Sequence, residues 1–336
     1  MAELLRRLRG GPPGREPVLS AGDWNRLEPG TVVQVCHPDW RGVRTVAYGF
    51  STPVVECDDL DRWSGLLVDR LAAAEVGCVV VQGWPPGAAA FVRAAAGRGI
   101  RIKAVLHSSP TQHGAEPGEA AVVDEVFSLA AAGVLAGVGM GKAGVAAAFA
   151  AVGHPVTHVP NRVPRLPELD RRDLGDGLHV GVFAEPFWRK NVTTQLLAVA
   201  LLDDATAHVM TRPSNAYLSK LTIVEHGELP WAEFVSLQGS VDLNLYVTLS
   251  ECHPSTPQES YLAGVPCLIS RVSAVFKDDP VLWELTSVDE ADNPEAIAAA
   301  ARRLLDARDE AVSRAKEWMA AADARAEAIW EDFVSS

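Results

Sequence analysis

Residues 247–269 read VTLSECHPSTPQESYLAGVPCLI, and this stretch decides the fold class. Its first apolar residues end a buried strand just before Glu251, and a proline-containing loop follows. Glu259 opens a short helix that closes at Gly264, after which a second apolar strand runs to Ile269. Two carboxylates separated by seven residues therefore leave a strand and enter a helix. This places both at the carboxyl edge of a parallel sheet, where open α/β folds bind ligands. The alternative is that both are solvated loop acids.

Length and composition indicate an ordinary globular chain with two domains. The 336 residues suffice for two cores of roughly 150 residues each, and 48% hydrophobic with 22% charged residues is not the composition of a disordered chain. No apolar run reaches the roughly 20 residues that span a bilayer, so no integral membrane association is expected. The first 17 residues carry basic side chains without a long apolar core, and we interpret them as a short helix or tail rather than a signal peptide.

Charge and cysteine usage narrow the partners and the compartment. The formal net charge of −13 disfavours nucleic acids and anionic membrane surfaces, both of which require a basic footprint. The five cysteines are odd in number and include no C-x-x-C pair. We therefore expect them to be reduced and mostly buried, which indicates a cytoplasmic protein.

A polar, proline-containing segment divides the chain. Strand and helix patterns alternate on both sides of RLPELDRRDLGDG, which predicts two α/β domains with mainly parallel sheets. The predicted parts are an N-terminal Rossmann-like domain at residues 1–165, a linker at 166–176, a C-terminal Rossmann-like domain at 177–315 and a C-terminal helix at 316–336. Within the second domain, VLWELT at residues 281–286 has the composition of a strand.

Several polar residues of the first half follow predicted strands. The loop HPDWRGVR after the strand at residues 31–36 contains Asp39, Arg41 and Gly42, and Gly42 would let the backbone approach a ligand closely. His107 follows another predicted strand, from where it could reach an acceptor or a donor phosphate. An ordinary turn and a structural histidine are the alternatives.

Two motif matches in the first half favour structural explanations. Asp59 and Asp61 match a D-x-D metal motif, but acids before an apolar periodic run are typical of a helix N-terminus. Gly139, Gly141 and Gly144 match G-x-G-x-x-G, which suggests a dinucleotide-dependent oxidoreductase. Because no acidic residue follows at the spacing that a ribose hydroxyl requires, a turn into an Ala-rich helix is favoured.

The second half combines cations with carboxylates. Arg189 and Lys190 lie between a predicted strand and a predicted helix, where two cations and a helix N-terminus can hold a diphosphate. Glu251 and Glu259 follow in the same domain at the same sheet edge. Basic residues for phosphates and carboxylates for hydroxyls fit a nucleotide-sugar site. A pair of solvated loop cations is the alternative for Arg189 and Lys190 taken alone.

This order of motifs resembles that of retaining, nucleotide-sugar-dependent glycosyltransferases of family 4, which have the two-domain GT-B fold. The segment VFAEPFWRKN at residues 182–191 is similar to the family's strand and loop that end in Lys-Asn or Lys-Gly, so Lys190 takes the phosphate-binding role. Glu251 and Glu259 match the E-x7-E signature. His107 is similar to the family's histidine at the end of an N-domain strand.

The resemblance implies two Rossmann-like domains that face a central cleft, with the acceptor side first and the donor side second, and a C-terminal helix that packs back on the first domain. It implies sugar transfer from a nucleotide-diphosphate sugar to a hydroxyl acceptor with retained anomeric configuration, without a metal or a tightly bound cofactor. The acceptor stays open between a glycan, a small molecule, a lipid carrier, a protein and, less readily given the charge, a nucleic acid.

Site residues carry over position by position from the resemblance. The implied catalytic residues are Glu251, His107, Arg189 and Lys190. The implied donor-binding residues are Arg189, Lys190, Ser255, Thr256 and Glu259, of which the last accepts hydrogen bonds from the ribose hydroxyls. The acceptor-side candidates are Asp39, Arg41 and Gly42. No metal ligand is implied.

The sequence departs from the family at three places. Val182 follows Gly181 where Gly-Arg is usual, and the loop at residues 253–257 is stiffer and bulkier than the usual Gly-Phe-Gly. Arg162 replaces the glycine of the Pro-Asn-Gly turn at the domain junction. These departures leave open a non-catalytic GT-B-like module that binds a nucleotide sugar or a glycan.

Overall fold

The chain folds into two compact α/β units. The structure, a computed structural model, describes residues 16–20 and 22–336, so nearly all of the expected N-terminal helix or tail lies outside the described residues. The first unit contains the described residues up to Pro160 together with Glu327–Ser336, and the second contains Asn161–Ala326. The predicted α/β class with mainly parallel sheets is confirmed.

The first unit is built on a seven-stranded sheet in the order β1-β3-β2-β4-β5-β6-β7. β1 is antiparallel to β3, and the other neighbouring pairs are parallel. The strands are β1 (Val18–Leu19), β2 (Val32–Cys36), β3 (Val54–Glu56), β4 (Cys78–Gln82), β5 (Arg101–Leu106), β6 (Gly137–Met140) and β7 (Thr157–His158). The α-helices are α1 (Arg41–Gly49), α2 (Leu60–Ala73), α3 (Ala88–Gly97), α4 (Pro110–Ala115), α5 (Pro117–Ala131) and α6 (Ala143–Ala151).

The second unit is built on a six-stranded, fully parallel sheet in the order β10-β9-β8-β11-β12-β13. The strands are β8 (Leu178–Val182), β9 (Ala205–Val209), β10 (Ile223–Glu225), β11 (Leu243–Tyr246), β12 (Cys267–Ser270) and β13 (Ser287–Val288). The α-helices are α7 (Val192–Val199), α8 (Trp231–Gln238), α9 (Thr256–Leu262), α10 (Pro280–Thr286), α11 (Pro294–Asp306) and α12 (Arg308–Ser335), the last of which continues into the residues counted with the first unit. This strand order is that of a Rossmann fold, in which the order reverses between β8 and β11.

The central strand β4 shows why its sequence is apolar without alternation. All five residues of CVVVQ are buried, as expected for a parallel strand that is covered on both faces. Val79 and Val81 pack in a core with Phe91 of α3. Val80 points the other way, into a smaller core that includes Trp330 of α12. The alternation of side chains across the sheet therefore contributes to two separate cores.

The C-terminal end of α12 is held by cations from β5. Arg101 donates to the carbonyls of Val334 at 2.6 Å and of Ser335 at 2.9 Å. Lys103, which is 1% exposed, donates to the carbonyl of Phe333 and to Ser336 Oγ at 2.9 Å. The last carbonyls of a helix lack intrahelical partners and carry partial negative charge, so two cations satisfy them and anchor this end in the first unit.

Two sequence expectations about secondary structure differ from the structure. VLWELT forms the helix α10 rather than a strand, because Asp279 caps it by accepting from the backbone N–H of Leu282 at 3.0 Å and Pro280 occupies the first turn. Arg41 and Gly42 lie in the first turn of α1 and not in a loop. Backbone N–H groups in the first turn of a helix have no intrahelical partner, so the close approach of a ligand to Gly42 stays a prediction.

The glycine motif of the first half is a packing feature. Gly139 lies inside β6, and a Cβ added there would come within 2.8 Å of Val159 Cγ2 and 3.0 Å of Val105 Cγ2. The first glycine of a dinucleotide-binding motif belongs instead in the turn between strand and helix. The structure thus gives the oxidoreductase interpretation no support, whereas Asp59 caps α2 as predicted by accepting from the backbone N–H of Arg62.

Three histidines form a hydrogen-bonded chain on the sheet of the second unit. His179 Nε2 lies 3.3 Å from the carbonyl of Gly175, His179 Nδ1 lies 2.9 Å from His208 Nε2, and His208 Nδ1 lies 2.9 Å from His226 Nε2. Because a carbonyl only accepts, all three rings donate from Nε2, and His179 and His208 accept at Nδ1. Burial, reinforced by His226 and His179, lowers the pKa of His208 to about 4 against a weaker opposing effect of Asp242.

This chain predicts a loss of stability in acid. An unfolded histidine takes up a proton near pH 6.5, whereas His208 stays neutral in the fold until about pH 4. The unfolded state therefore binds more protons between these values, and we expect His208 to remove about 2 kcal/mol from the free energy of unfolding between pH 7 and pH 5. His208→Gln can donate to one neighbour and accept from the other. Between pH 7 and pH 5 its free energy of unfolding, measured in urea, should therefore fall by about 2 kcal/mol less than that of the wild type. His154→Gln is the control, because His154 does not belong to the three hydrogen-bonded histidines. An equal fall in the free energy of unfolding between pH 7 and pH 5 in the wild type and in His208→Gln would contradict the prediction.

Candidate functional site

The second unit brings predicted site residues to its topological switch point. β8 and β11 are neighbours in the sheet, and the chain leaves them towards opposite sides, to β9 and to β12. The loops after both strands therefore border one crevice at the carboxyl edge, where open α/β sheets bind ligands. The backbone N–H of Leu249 donates to the carbonyl of Arg189 at 2.8 Å and ties the two loops together.

Arg189, Lys190 and Glu251 form one ion cluster with Tyr246. Lys190 Nζ donates to the Glu251 carboxylate and, at 2.5 Å, to the Tyr246 hydroxyl. The Tyr246 hydroxyl donates to Glu251 Oε1 at 3.0 Å, and Arg189 Nη1 lies 3.6 Å from the same oxygen. Glu251 is 7% exposed. Its charge is thus largely removed from water and is compensated by two cations and a hydroxyl.

Burial sets the protonation of this cluster. Loss of water lowers the pKa of Lys190, and the charge of Glu251 opposes that change. Burial, and after it the charge of Glu251, raises the pKa of Tyr246, so the phenol keeps its proton and donates it to the carboxylate. Arg189 and Lys190 share one carboxylate oxygen, Glu251 Oε1. A diphosphate can therefore replace the carboxylate as the partner of both cations, since phosphate oxygens accept strong charge-assisted hydrogen bonds.

The turn that presents the two cations is locked by amide side chains. Asn191, at the N-terminus of α7, has a left-handed backbone with φ 55°, which asparagine and glycine adopt most readily. Its Nδ2 donates to the carbonyls of Val247 at 3.1 Å and of Ala291 at 2.5 Å. The fully buried Gln195 donates to the carbonyl of Lys190 at 2.8 Å and accepts from the backbone N–H of Val247 at 2.9 Å. The left-handed position explains why Asn or Gly suits the residue after the lysine.

A cavity of about 170 Å³ borders this turn. Its lining residues belong to the loop after β8 and to the start of α7, and they are Pro186, Phe187, Trp188, Asn191, Val192 and Thr193. Phe187 and Trp188 are 54% and 49% exposed, unusual for such large apolar side chains. A helix N-terminus carries partial positive charge and backbone donors, so the start of α7 gives this cavity an end suited to an anion, although Arg189 and Lys190 are not among its lining residues.

The second carboxylate has a different environment. Glu259 lies in the first turn of α9, is 4% exposed and accepts a hydrogen bond from Trp231 Nε1 at 2.9 Å. Ser255 and Thr256, at the start of the same helix, are half-buried. Trp231 was not predicted as a site residue, because the sequence PWAEF indicates only a helix start and gives no sign of what its indole reaches.

Contacts at three positions of the second unit lie at or beside the departures from the family pattern. Asn161 donates through its backbone N–H to His253 Nδ1 at 3.0 Å and through Nδ2 to the carbonyl of His253 at 2.7 Å. The bulkier loop between the two carboxylates is thus fastened to the first residue of the second unit. Arg162, where glycine is usual, forms a two-pronged ion pair with Asp323 at 2.6 and 2.7 Å. Gly181 leaves room for Asn244, whose Oδ1 a Cβ would approach to 2.3 Å.

The remaining predicted residues lie in the first unit. Asp39 lies in the turn between β2 and α1, and its backbone N–H donates to His37 Nδ1 at 3.2 Å. His107 directly follows β5, with Nε2 2.8 Å from Gln82 Oε1. β4 lies between β2 and β5 in the sheet, so Asp39 and His107 do not come from adjacent strands.

The described part of the chain contains neither a cluster of metal-binding side chains nor a helix that could span a membrane. No group of three or more histidine, cysteine, aspartate or glutamate side chains is placed to hold a metal ion among residues 16–20 and 22–336. Within the same residues, no helix combines the length and the apolarity needed to cross a membrane.

Comparison with known proteins identifies the fold. No protein-family model matches the sequence, and no curated protein matches it. Among solved structures, a UDP-forming α,α-trehalose-phosphate synthase from Burkholderia xenovorans in complex with glucose-6-phosphate has a TM-score of 0.63 and 12% identity, over 90% of this chain and 98% of that one. An E. coli trehalose-6-phosphate protein bound with UDP-2-fluoro glucose has a TM-score of 0.60 and 12% identity, over 91% and 98%. The apo structure of OtsA gives 0.62 and 12% over the same shares.

At this level of identity the likeness concerns the fold. It supports the GT-B architecture of two Rossmann-like units that the motif order predicted. The neighbours are trehalose-phosphate synthases, so the likeness does not single out family 4.

The ion cluster predicts how the unit responds to loss of its carboxylate. In Glu251→Gln, Arg189 and Lys190 stay close together in a largely buried position without the carboxylate that they share, and we expect the free energy of unfolding at pH 7 to fall by about 3 kcal/mol. Inorganic phosphate should recover part of this loss by binding these two cations. Urea unfolding with and without phosphate measures both effects, with the exposed Glu228→Gln as the matched control. Unchanged stability in Glu251→Gln would contradict the cluster as described.

Proposed function

We propose that the chain is a retaining glycosyltransferase that moves a sugar from a nucleotide-diphosphate sugar to a hydroxyl acceptor. The observation that carries this proposal is the cluster of Arg189, Lys190 and Glu251. It lies at the topological switch point of the second Rossmann-like unit, in a chain with the GT-B fold. A purely stabilising ion pair requires no helix N-terminus beside it, whereas Arg189 and Lys190 lie directly before the start of α7.

The donor diphosphate binds where Glu251 now meets the cations. Arg189, Lys190 and the N-terminus of α7 take its phosphate oxygens. Glu251 is released from Lys190 and accepts hydrogen bonds from hydroxyls of the donor sugar. Glu259 accepts from the ribose hydroxyls, and Ser255 and Thr256 offer hydroxyl and backbone groups between them. The catalytic assignment of Glu251, Arg189, Lys190 and His107 remains part of this proposal.

The reaction exchanges one bond at the anomeric carbon for another on the same face. The bond from C1 to the phosphate oxygen breaks, the bond from C1 to the acceptor oxygen forms, and the acceptor proton passes to the departing phosphate oxygen. Arg189 and Lys190 stabilise the negative charge that develops on the diphosphate. Such placement of charge is commonly the largest contribution to catalysis. These cations occupy the role that a divalent metal fills elsewhere, so we propose a metal-independent enzyme.

The ligands of the neighbouring structures suggest the first substrates to test. One neighbour was solved with UDP-2-fluoro glucose and another with glucose-6-phosphate. We therefore take UDP-glucose as the first donor and a sugar phosphate as the first acceptor for this chain. Asp39, Arg41 and Gly42 of the first unit are the acceptor-side candidates. The buried thiols of all five cysteines fit a cytoplasmic location.

Ligand-induced stabilisation tests the donor site. UDP at about 100 times its Kd should stabilise the native chain by about 2.7 kcal/mol and raise its melting temperature by several degrees. Lys190→Ala and Glu259→Ala should lose most of this shift. The matched controls are Lys220→Ala and Glu228→Ala, two exposed residues of the same unit that should keep the full shift. No shift with UDP, GDP, ADP or TDP in the folded wild type would contradict the donor site.

Turnover separates an enzyme from a binding module. Lys190→Met should lower kcat for transfer or donor hydrolysis by roughly 10²- to 10³-fold, the effect of removing one preorganised donor from a developing anion. The alternative is a non-catalytic GT-B-like module. The two hydrogen bonds that hold the loop at His253 to Asn161 are the observation in its support. Donor binding without any transfer or hydrolysis in the wild type would decide for the module.

A further inference from the structure

A chain of buried amide side chains in the first unit leads to His107. Gln34 of β2 and Gln82 of β4 are both fully buried, and their strands are neighbours in the sheet. Gln82 is the last residue of β4, and β5, on the other side of β4, ends directly before His107. Polar side chains from three adjacent strands are thus linked across the sheet.

A backbone carbonyl fixes the orientation of these linked amide side chains. Gln34 Nε2 donates to the carbonyl of Ala47 and to Thr52 Oγ1, both at 2.7 Å. A carbonyl oxygen only accepts, so the NH₂ group of Gln34 must face Ala47 and its Oε1 must face the other way. That oxygen accepts from Gln82 Nε2 at 2.7 Å. The orientation of both amides therefore follows from Ala47.

The orientation of the Gln82 amide determines which ring nitrogen of His107 carries the hydrogen. Because Gln82 uses its NH₂ group on Gln34, its Oε1 is the atom that lies 2.8 Å from His107 Nε2. An amide oxygen only accepts, so the hydrogen of this contact belongs to Nε2. In a neutral ring Nδ1 then carries a lone pair and accepts hydrogen bonds. Removal from water lowers the pKa of His107 to about 4, so the ring is neutral at pH 7.

We propose that Gln34 and Gln82 are positioning residues that hold His107 in the Nε2–H tautomer, so that its Nδ1 accepts a hydrogen bond from a ligand hydroxyl at the carboxyl edge of the first unit's sheet. The hydroxyl as ligand rests on the proposed glycosyltransferase function, whereas the tautomer does not. In this state His107 orients a hydroxyl group and does not act as a general acid near neutral pH. A polyhydroxylated ligand such as a sugar is the class that such an acceptor recognises.

Nitrogen NMR tests the tautomer directly. Long-range ¹H–¹⁵N correlation spectra of the full ¹⁵N-labelled chain at pH 7 distinguish a protonated ring nitrogen from an unprotonated one, and His107 is assigned by the peaks that disappear in His107→Gln. We expect Nε2 to be protonated and Nδ1 to be unprotonated in the wild type. A protonated Nδ1, or an imidazolium at pH 7, would overturn the proposal, and this measurement requires no glutamine variant to fold.

Variants then test whether the two glutamines determine this state. Gln82→Met or Gln34→Met removes the fixed orientation of the amide that faces His107. Both tautomers of the ring should then be populated, so the ¹⁵N chemical shifts of its two nitrogens should move towards each other. Gln112→Met is the control, because Gln112 is also buried in the first unit but accepts from the backbone N–H of Ser109 instead. Spectra identical to the wild type in both Gln34→Met and Gln82→Met would overturn the role of the glutamines.

Kinetics connect the tautomer to the proposed reaction. Gln82→Met should lower kcat/KM roughly tenfold, the equivalent of one neutral hydrogen bond. Gln82→Glu should restore both the tautomer and the rate, because burial raises the pKa of a carboxyl group and a protonated glutamate can donate to Gln34 while it accepts from His107. A lower melting temperature in Gln82→Met with an unchanged rate and tautomer would show a merely structural glutamine. If the wild type transfers no sugar, the proposed function fails while the spectra still decide the tautomer.

Discussion

A carboxylate that leaves water must be met by cations or hydrogen-bond donors, and Glu251 meets Arg189, Lys190 and Tyr246 in a largely buried position. This constraint determines where the loops after β8 and β11 can lie. They must approach closely enough for one carboxylate oxygen to reach both cations, and the contact between Leu249 and the carbonyl of Arg189 reflects that approach. In the proposed function, a bound diphosphate takes over the two cations and releases the carboxylate.

The rest of the second unit supports this arrangement. The parallel sheet reverses its order between β8 and β11 and so opens the crevice. Asn191 adopts the left-handed backbone that turns the chain from the cations into α7, and Gln195 fastens that turn to Val247 at the end of β11. Each of these polar side chains is buried and has hydrogen-bond partners. A loop fixed from several sides is suited to hold two charges in place before a ligand arrives.

The sequence predicted the class of fold and the positions of the ion cluster because both depend on local patterns. The apolar runs of the predicted strands end shortly before Arg189, Lys190 and Glu251. The carboxyl ends of parallel strands meet at one edge of the sheet. Tyr246, Trp231 and Gln82 were missed because each lies within a strand or helix, where its composition indicates only packing. Their hydrogen bonds reach residues that are close only in the fold. VLWELT was assigned to a strand because apolar composition outweighed Asp279 and Pro280, the two residues that start a helix there.

Soaking UDP into crystals of the wild-type chain and locating its diphosphate tests the central claim most directly. We expect phosphate oxygens within hydrogen-bond distance of Lys190 Nζ and of the Arg189 guanidinium, beside the start of α7, with the Glu251 carboxylate no longer bonded to Lys190. Electron density for UDP at another place on the chain, or a saturated soak in which Lys190 keeps its bond to Glu251 and no diphosphate lies beside it, would contradict the assignment of this cluster as the donor site.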